Sequence, residues 1–471
     1  AFTRLMGPEA FGRYALALAA AMLALTLVFT WAEAAAFRYY SSARAETRLA
    51  QHFATLLAIA AALGGAVLLL AVALLTLCGV GDNAGAIAAF AAGSAVFRFI
   101  TRLSRESERA ALDLHRYAVR ESAYLLLGFA AGVALLLYSP LGAAAPFAGA
   151  MLAGVMICAA DAPRLLGRAE QAAPAAQRTI AYARYGAPLA LALALDLGAQ
   201  TLTRLIVAHQ SGEASLGAYA AAFGLTRPLD LMFIGFSSVF APLIYAAYEE
   251  NGADAARAAA RTAFSTLAAV MLPAATGLAL VATPLSSLMV GPALHAETAR
   301  VLPWMALAAA ASGFNLYYWS EAFQLTRKTA TRAAVMLAPA AVQIICTIAL
   351  AHTASGAAQA AAAGAMCGSL ALVLIGRRLI ALPIAWRELT KIAAATALMA
   401  LVIVAAQLSN TTTGLALGVA LGVCSYAAAA FALDILGVRR KTSAVSQALV
   451  TKLPAHLHVS FTDRLHVRRP S

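Results

Sequence analysis

The sequence predicts an all-α membrane protein with two six-helix bundles, related by a parallel repeat, and a C-terminal helix pair. Three observations lead to this fold class: the composition, a series of long apolar segments, and a motif that occurs twice. Of the 471 residues, 62% are hydrophobic and 12% are charged, and the mean hydropathy is +0.79. Soluble domains carry about 25% charged residues. The composition therefore indicates a polytopic membrane protein.

Thirteen apolar segments are long enough to cross a bilayer, which takes about 20 residues of helix. The pattern of basic residues predicts their orientation, because 29 of the 34 Lys and Arg fall on alternate connections and in the C-terminal tail. The positive-inside rule places that side in the cytoplasm. Residues 1–13 then face outward, so one further helix is expected before Ala1, giving fourteen. The segments are 13–35, 53–79, 84–103, 120–138, 140–161, 184–208, 214–247, 260–291, 297–325, 328–352, 355–378, 387–408 and 412–436.

A repeated turn motif predicts the two-fold plan. Gly7 to Tyr14 and Gly212 to Tyr219 both read Gly-x4-Gly-x-Tyr-Ala, and each copy lies just before an apolar segment. Such a repeat indicates two copies of one unit, although chance similarity is the alternative in a chain rich in Gly and Ala. Six helices separate the copies, so the units have the same orientation. The predicted divisions are 1–162, 163–380, a helix pair at 381–436 and a basic cytoplasmic tail at 437–471.

Polar residues inside the apolar segments are the candidates for function, because each charge in the bilayer needs a partner or a water-filled cavity. Steps of four place three polar residues on one face of segment 184–208. The next segment carries an Arg–Asp pair three residues apart. These residues either line a substrate cavity, with the arginines binding an anionic group, or form an ion pair between Asp196 and Arg227 that joins two helices. The five candidates are Asp196, Gln200, Arg204, Arg227 and Asp230.

A third polar cluster lies in segment 297–325, where aromatic residues alternate with an amide and an acid. The candidates are Asn315, Tyr318 and Glu321, next to Tyr317 and Trp319. Aromatic side chains at this density can stack on sugar rings, or they can form a packed interface between helices. The sequence leaves both interpretations open.

Several classes of protein are excluded by missing motifs. The chain has no Gly-x4-Gly-Lys-Ser/Thr, no His-Glu-x-x-His and no Gly-x-Ser-x-Gly, so nothing indicates an ATPase, a metalloprotease or a serine hydrolase. The five cysteines lie inside apolar runs and read as small hydrophobic residues. We therefore expect neither an enzyme nor a bound cofactor or metal. The net charge of +13 is explained by basic loops rather than by a nucleic-acid partner.

Three stretches resemble the Wzx-like O-antigen and exopolysaccharide flippases. These belong to the multidrug/oligosaccharidyl-lipid/polysaccharide exporter superfamily. Arg4 to Tyr14 is similar to the turn after that family's first helix. Tyr185-Gly-Ala-Pro188 resembles the start of its seventh helix. Thr203-Arg204, followed by Gly212 to Tyr219, resembles the stretch where the family often has Asp-Arg and then a Gly-x-Tyr turn. Thr203 departs from that pattern, which leaves any role of the pair open.

The resemblance implies a secondary transporter in the bacterial inner membrane. Its substrate would be an oligosaccharide linked to undecaprenyl pyrophosphate, moved from the cytoplasmic to the periplasmic leaflet. The product would be a surface polysaccharide, such as lipopolysaccharide or exopolysaccharide. Transport of this kind is driven by an ion gradient or by the membrane potential, and H+ and Na+ are the candidate coupling ions. The partners it implies are the lipid-linked oligosaccharide, membrane lipids and polysaccharide assembly proteins. Two other functions are a drug/cation antiporter of the same superfamily and a membrane polysaccharide polymerase or glycosyltransferase. The short outward connections argue against a polymerase or glycosyltransferase.

Overall fold

The computed structural model describes residues 2–77, 82–111, 113–170, 172–326, 328–407 and 409–439, and these residues form helices and short connections. The basic tail predicted after residue 436 lies mostly outside this range. In the N-terminal part the helices are α1 (Phe2–Leu5), α2 (Pro8–Arg38), α3 (Tyr40–Ala45), α4 (Leu49–Leu77), α5 (Asp82–Ala110), α6 (Leu114–Tyr138) and α7 (Ala145–Ala169).

The second part of the chain contains longer and more irregular helices. They are α8 (Ala176–Leu225), α9 (Arg227–Leu280), α10 (Ala282–Met289), α11 (His295–Phe314), α12 (Glu321–Leu325), α13 (Thr329–Leu350), α14 (Ala354–Gly376), α15 (Trp386–Ala405) and α16 (Thr412–Ala432). Each of the thirteen predicted segments is helical over most of its length. The predicted fold class is therefore confirmed.

Two glycines divide α8 and α9 at the predicted connections. Gly212 has φ 83° and ψ 168°, and Gly252 has φ 76° and ψ −167°. Only glycine adopts this region of backbone conformation readily. The chain can therefore reverse direction at these points without a longer loop.

One predicted segment, 214–247, contains a break. Helix α8 ends at Leu225 and α9 begins at Arg227, with Pro228 in the first turn of the new helix. Proline fits the first turn because the amide proton it lacks would have no helical partner there. The same proline prevents α8 from continuing. The break places Arg227 at a helix start in the middle of an apolar segment.

Ten stretches of the described residues are long and apolar enough to cross a membrane. Leu193–Leu280 counts as one stretch but contains three of the thirteen predicted segments. Segment 297–325 is not among the ten, since Glu297 and Arg300 make the start of α11 polar and a π-helical turn at Asn315–Trp319 interrupts it.

The described helices form two compact units that do not follow the order of the sequence. The first comprises Ala1–Leu225, Met289–Ala308 and Ala333–Gly368, and the second comprises Thr226–Leu288, Ala309–Arg332 and Ser369–Ser471. The chain passes from one unit to the other five times: between α8 and α9, at the end of α10, and within α11, α13 and α14. The four divisions predicted from the sequence remain a prediction.

In the first unit the two copies of the repeated turn lie directly against each other. A Cβ atom on Gly12 would lie 1.8 Å from the carbonyl oxygen of Glu213. A Cβ atom on Gly217 would lie 2.8 Å from the carbonyl oxygen of Pro8. The second glycine of each copy thus contacts the residue that follows the first glycine of the other copy. This contact is reciprocal, as a local two-fold relation between the copies requires.

An ion pair crosses the same contact, with Arg13 Nε 3.2 Å from a carboxylate oxygen of Glu213. Gly291 extends the close approach, because a Cβ there would lie 1.9 Å from the carbonyl oxygen of Thr3. Backbones approach this closely only where side chains are absent, which is how small residues allow tight helix packing in membranes.

We predict that Gly12→Val destabilises the protein by about 1–3 kcal/mol, because the new side chain would overlap backbone atoms that cannot rotate away. Thermal unfolding of the purified protein in detergent measures the effect. Gly65→Val is the matched control, since no heavy atom lies within 4 Å of a Cβ at Gly65 in α4. Equal melting temperatures for the two variants would show that the crossing is looser than described.

Candidate functional site

The first unit contains a group of eight charged side chains on four helices, which we call the N-terminal ion network. Helix α5 supplies three arginines and a glutamate, and α2, α6 and α7 supply the rest. The members are Glu33, Arg98, Arg102, Arg105, Glu108, Arg120, Glu121 and Asp161. Four positive and four negative charges make the network neutral.

The contacts in the network are short and link the helices in pairs. Arg98 donates to both oxygens of Glu121 at 2.9 and 3.2 Å, and Arg105 pairs with the same carboxylate. Arg102 lies 3.1 Å from Glu33. Arg120 pairs with Glu108 and, at 2.5 Å, with Asp161. The pairs therefore connect α5 to α2 and α6, and α6 to α7.

The sequence interpretation of this region was incomplete. The stretch Arg98–Arg120 reads as a charged helix leaving the membrane, but Arg105 is only 7% exposed and Arg98 also stacks on the ring of Tyr124, 4.1 Å from its centroid. The sequence feature that points to a network is the spacing of Arg98, Arg102 and Arg105, which puts all three on one face of a helix. Their acidic partners lie 16 to 69 positions away in the sequence, so the sequence pattern did not identify them.

The polar face of α8 belongs to the first unit. Gln200 and Arg204 are both half-buried, and the Arg204 guanidinium lies 4.9 Å from the centroid of the Phe223 ring. Asp196 lies on the same helix, but its side chain is outside the described part of the structure. Thr203, where the resemblance led us to look for Asp, is fully buried and accepts a hydrogen bond from Gln343 of α13 at 3.1 Å.

The second pair of candidates lies at the start of α9, in the second unit. The Arg227 guanidinium is 3.2 Å from the Asp230 carboxylate, and their side chains are 60% and 35% exposed. The Arg227 side chain is about twice as exposed as the most exposed side chain of the N-terminal ion network, Arg102 at 29%. Arg227 and Asp230 therefore form an accessible ion pair at the break between two helices, and the sequence correctly places them on one face.

The third cluster surrounds the π-helical turn Asn315–Trp319, also in the second unit. Asn315 is 4% exposed and accepts a hydrogen bond from Ser369 at 2.7 Å. Tyr318 is 1% exposed, and its hydroxyl donates to the carbonyl oxygen of Pro383 at 2.7 Å. These two side chains hold the turn in place. The contacts of Asn315 and of the Tyr318 hydroxyl are therefore those of a packed interface between helices.

Glu321, directly after this turn, has a different environment. It is 3% exposed, and the hydroxyl of Tyr245 from α9 donates to its carboxylate at 2.5 Å. Gln324 also contacts the carboxylate, at 3.4 Å. Sequence analysis did not find Tyr245, because nothing in the pattern of α9 distinguishes it. Glu321 also lines a recess together with side chains of α9, including Phe236 and Phe240.

No group of three or more His, Cys, Asp or Glu side chains suitable for a metal ion occurs among the residues that the structure describes. The charged and polar groups in these three places can bind anions, accept hydrogen bonds and carry protons. None of them forms the nucleophile–base arrangement that covalent catalysis uses.

Comparison with known proteins identifies a family. A family described as polysaccharide biosynthesis protein matches residues 1–296. No curated protein sequence matches the chain.

Solved structures share the fold. The lipid II flippase MurJ, in an inward closed conformation, is similar with a TM-score of 0.74 and 13% identity, over 92% of this chain and 94% of that protein. An inward-facing multidrug resistance MATE transporter has a TM-score of 0.64 and 16% identity, over 79% of this chain and 91% of that protein. An outward-facing MATE transporter has a TM-score of 0.56 and 17% identity, over 79% and 88%.

We expect Glu121→Gln to destabilise the first unit strongly, by about 3–5 kcal/mol, because it leaves two largely buried guanidinium groups without their carboxylate. Protein abundance in the membrane and thermal unfolding measure the loss. Glu250→Gln, at an exposed position of α9, is the control and should leave both unchanged. Normal abundance and stability of the Glu121 variant would mean that the network is hydrated and carries little of the fold's stability.

Proposed function

Because the chain belongs to the polysaccharide biosynthesis family and has the fold of the exporter superfamily that includes MurJ and the MATE transporters, we propose that it is a flippase for a lipid-linked oligosaccharide. In this proposal it moves an undecaprenyl-pyrophosphate-linked saccharide from the cytoplasmic to the periplasmic leaflet. The family and the fold indicate a transporter rather than a catalytic enzyme.

The observation that carries the proposal is the exposure of Arg227. A charge in the hydrocarbon core costs about 2.5–3.5 kcal/mol on insertion scales, so an exposed arginine in a membrane segment needs water or a ligand around it. Arg227 lies at a helix break and has Asp230 beside it, which keeps the guanidinium oriented. Arginine binds phosphate groups through paired, in-plane N–H donors. A pyrophosphate fits this chemistry.

Arg204 supplies a second basic group on a membrane helix. Its position over the Phe223 ring orients the guanidinium plane. Gln200 is one helical turn away and adds an amide donor on the same face. We propose Arg204 and Gln200 as a second candidate for binding an anionic group, within the first unit, with Asp196, which the sequence pattern puts on the same helix face, as an acid that modulates their charge.

We propose that transport is driven by an ion gradient or by the membrane potential; the sequence carries no Gly-x4-Gly-Lys-Ser/Thr loop for ATP. We propose H+ or Na+ as the coupling ion. Export by cells or vesicles in which only the proton gradient, or only the sodium gradient, is collapsed distinguishes the two ions. Export that continues without either gradient would contradict coupled transport.

A drug/cation antiporter is the second candidate, supported by the similarity to MATE transporters. An antiporter for cations favours acidic residues at its binding positions. Here each acid at the candidate positions in α8 and α9 has an arginine on the same helix face. The anionic headgroup therefore remains the preferred substrate. A polymerase or glycosyltransferase function has no support from the fold.

The flippase proposal places the protein in the bacterial inner membrane with its basic tail in the cytoplasm. Polysaccharide assembly proteins are the expected protein partners. A reporter fused after residue 439 tests the orientation, because it should be active only on the cytoplasmic side.

We predict that Arg227→Ala and Arg204→Ala each abolish polysaccharide export while leaving the protein at normal levels in the membrane. Loss of the guanidinium removes the main attraction for the pyrophosphate. The measurement is surface polysaccharide, together with carrier-linked saccharide on the cytoplasmic leaflet, in a deletion strain carrying each variant. Arg300→Ala, at an exposed position in α11, is the matched control. Normal export by both variants would contradict the proposed headgroup site.

A further inference from the structure

The connection between α14 and α15 carries three exposed arginines within eleven residues. Arg377 and Arg378 directly follow α14, and Arg387 is the second residue of α15. In the described part of the chain, none of these three side chains has a hydrogen-bond or ion-pair partner. We propose that residues 377–387, which we call the basic connection, bind the headgroup of an anionic phospholipid of the bilayer. This inference goes beyond the proposed transport and does not depend on it.

Contacts within the second unit hold the basic connection in one shape. The Tyr318 hydroxyl donates to the carbonyl oxygen of Pro383 at 2.7 Å. Ile380 and Ala385 are 4% and 6% exposed and pack into the same apolar core as Ile392 of α15. The backbone between the arginines is therefore anchored at several points. A site whose backbone is already ordered loses less conformational entropy when a ligand binds.

The basic connection lies at a membrane surface. The helices on both sides of it, Ala354–Gly376 and Trp386–Ala405, are long and apolar enough to cross a bilayer. Trp386, where α15 begins, is 63% exposed, and tryptophan is enriched at the level of the lipid headgroups. The guanidinium of Arg387, the next residue, is therefore within reach of lipid phosphates.

Exposed apolar side chains lead along both helices to the arginines. On α14, Leu370 and Leu374 are 60% and 53% exposed, and steps of four continue from them to Arg378 on the same helix face. On α15, Leu398 is 48% exposed and follows Arg387 by eleven residues, which is about three helical turns. A phospholipid has the same order, with a phosphate above apolar chains. A free phosphate or an acidic protein would use the arginines but not the leucines.

The charge of the basic connection favours a headgroup that is negative overall. Glu388 is the one acid between Arg377 and Lys391 in the sequence. Its carboxylate is 3.2 Å from the Lys391 ammonium and accepts the backbone N–H of Leu436 at 3.2 Å. Both carboxylate oxygens are thus engaged elsewhere, and the arginines keep their charge. Arginine binds phosphate through paired N–H donors, whereas a zwitterionic headgroup brings a cation of its own.

Binding of two phospholipids to the purified full-length protein tests the inference. The probes are dioleoyl phosphatidylglycerol and dioleoyl phosphatidylcholine, which have the same acyl chains and differ in net charge. Native mass spectrometry in detergent gives the affinity of each. We expect the wild-type protein to bind phosphatidylglycerol about a hundredfold more tightly, because each arginine near a membrane surface contributes about fivefold to the attraction of a negative charge. A photoreactive phosphatidylglycerol should label the peptide that contains residues 377–387.

Two triple variants separate the basic connection from the general charge of the protein. Replacement of Arg377, Arg378 and Arg387 by Gln should lower the affinity for phosphatidylglycerol to that for phosphatidylcholine and leave the latter unchanged. The single variants Arg378→Gln and Arg387→Gln should each weaken phosphatidylglycerol about fivefold.

The matched control replaces three other exposed arginines by Gln, in and after the helices that precede α4. It removes the same charge and should keep the wild-type preference and the labelled peptide. Its positions are Arg38, Arg44 and Arg48. The thermal unfolding of both triple variants without added lipid should match the wild-type protein, since all six side chains are exposed.

Competition distinguishes the sources of a phosphate group. Neither inorganic phosphate nor undecaprenyl pyrophosphate at an equal concentration should displace bound phosphatidylglycerol. Displacement by inorganic phosphate would make the basic connection a plain anion site, and displacement by undecaprenyl pyrophosphate would make it a contact of the carrier lipid. Either result overturns the inference. So would equal binding of the two phospholipids by the wild-type protein, an unchanged preference in the first triple variant, or an equal loss in both triple variants. The proposed transport can fail without changing these results, because none of the probes carries a saccharide.

Discussion

The close crossing of the two repeated turns is the contact on which the first unit depends. It joins the beginning of α2 to the second half of α8 through backbone atoms, since Gly12 and Gly217 leave no room for a side chain between them. A packed backbone contact is either made or broken, because interiors of this density do not deform gradually. A transporter that alternates between two states needs contacts of this kind, and a symmetric pair of glycines provides one.

Charges in this protein occur in two different environments. The N-terminal ion network balances four arginines against four acids on helices α2, α5, α6 and α7, and several of its members are almost fully buried. Such a network holds helices together, and its charges are already paired with each other. Arg227 is paired as well, with the half-buried Asp230, but its own side chain is 60% exposed at a helix break. The guanidinium of Arg227 is therefore more accessible than those of the network.

Apolar length and the repeated turn were sufficient to predict the helices and their number, because the cost of unpaired backbone groups in lipid leaves helices as the solution for such segments. They did not predict that a new helix starts at Arg227, nor that a π-helical turn lies at Asn315–Trp319. Both depend on local backbone hydrogen bonds that apolar periodicity does not encode. The ion network was missed for a different reason: its acids, Glu33 and Asp161 among them, are distant in sequence from the arginines they contact.

The candidate residues illustrate the same limit. Arg227 and Asp230 were identified because a charge in an apolar segment is unusual whatever surrounds it. For Asn315, Tyr318 and Glu321 the sequence left sugar binding and packing open, and the structure shows what each side chain contacts. The Asn315 side chain and the Tyr318 hydroxyl bind within the unit, to Ser369 and Pro383.

Glu321 differs from them in the surfaces around it. Its carboxylate accepts from one hydroxyl of α9 and lies beside aromatic rings, and the nearby charge of Arg332 offsets part of the cost of its burial. A buried carboxylate in such a place is stable only if it is protonated or accepts hydrogen bonds. The Tyr245 hydroxyl and the Gln324 amide provide such bonds, so the acid joins α9 to the helical turn that follows the π-helical segment.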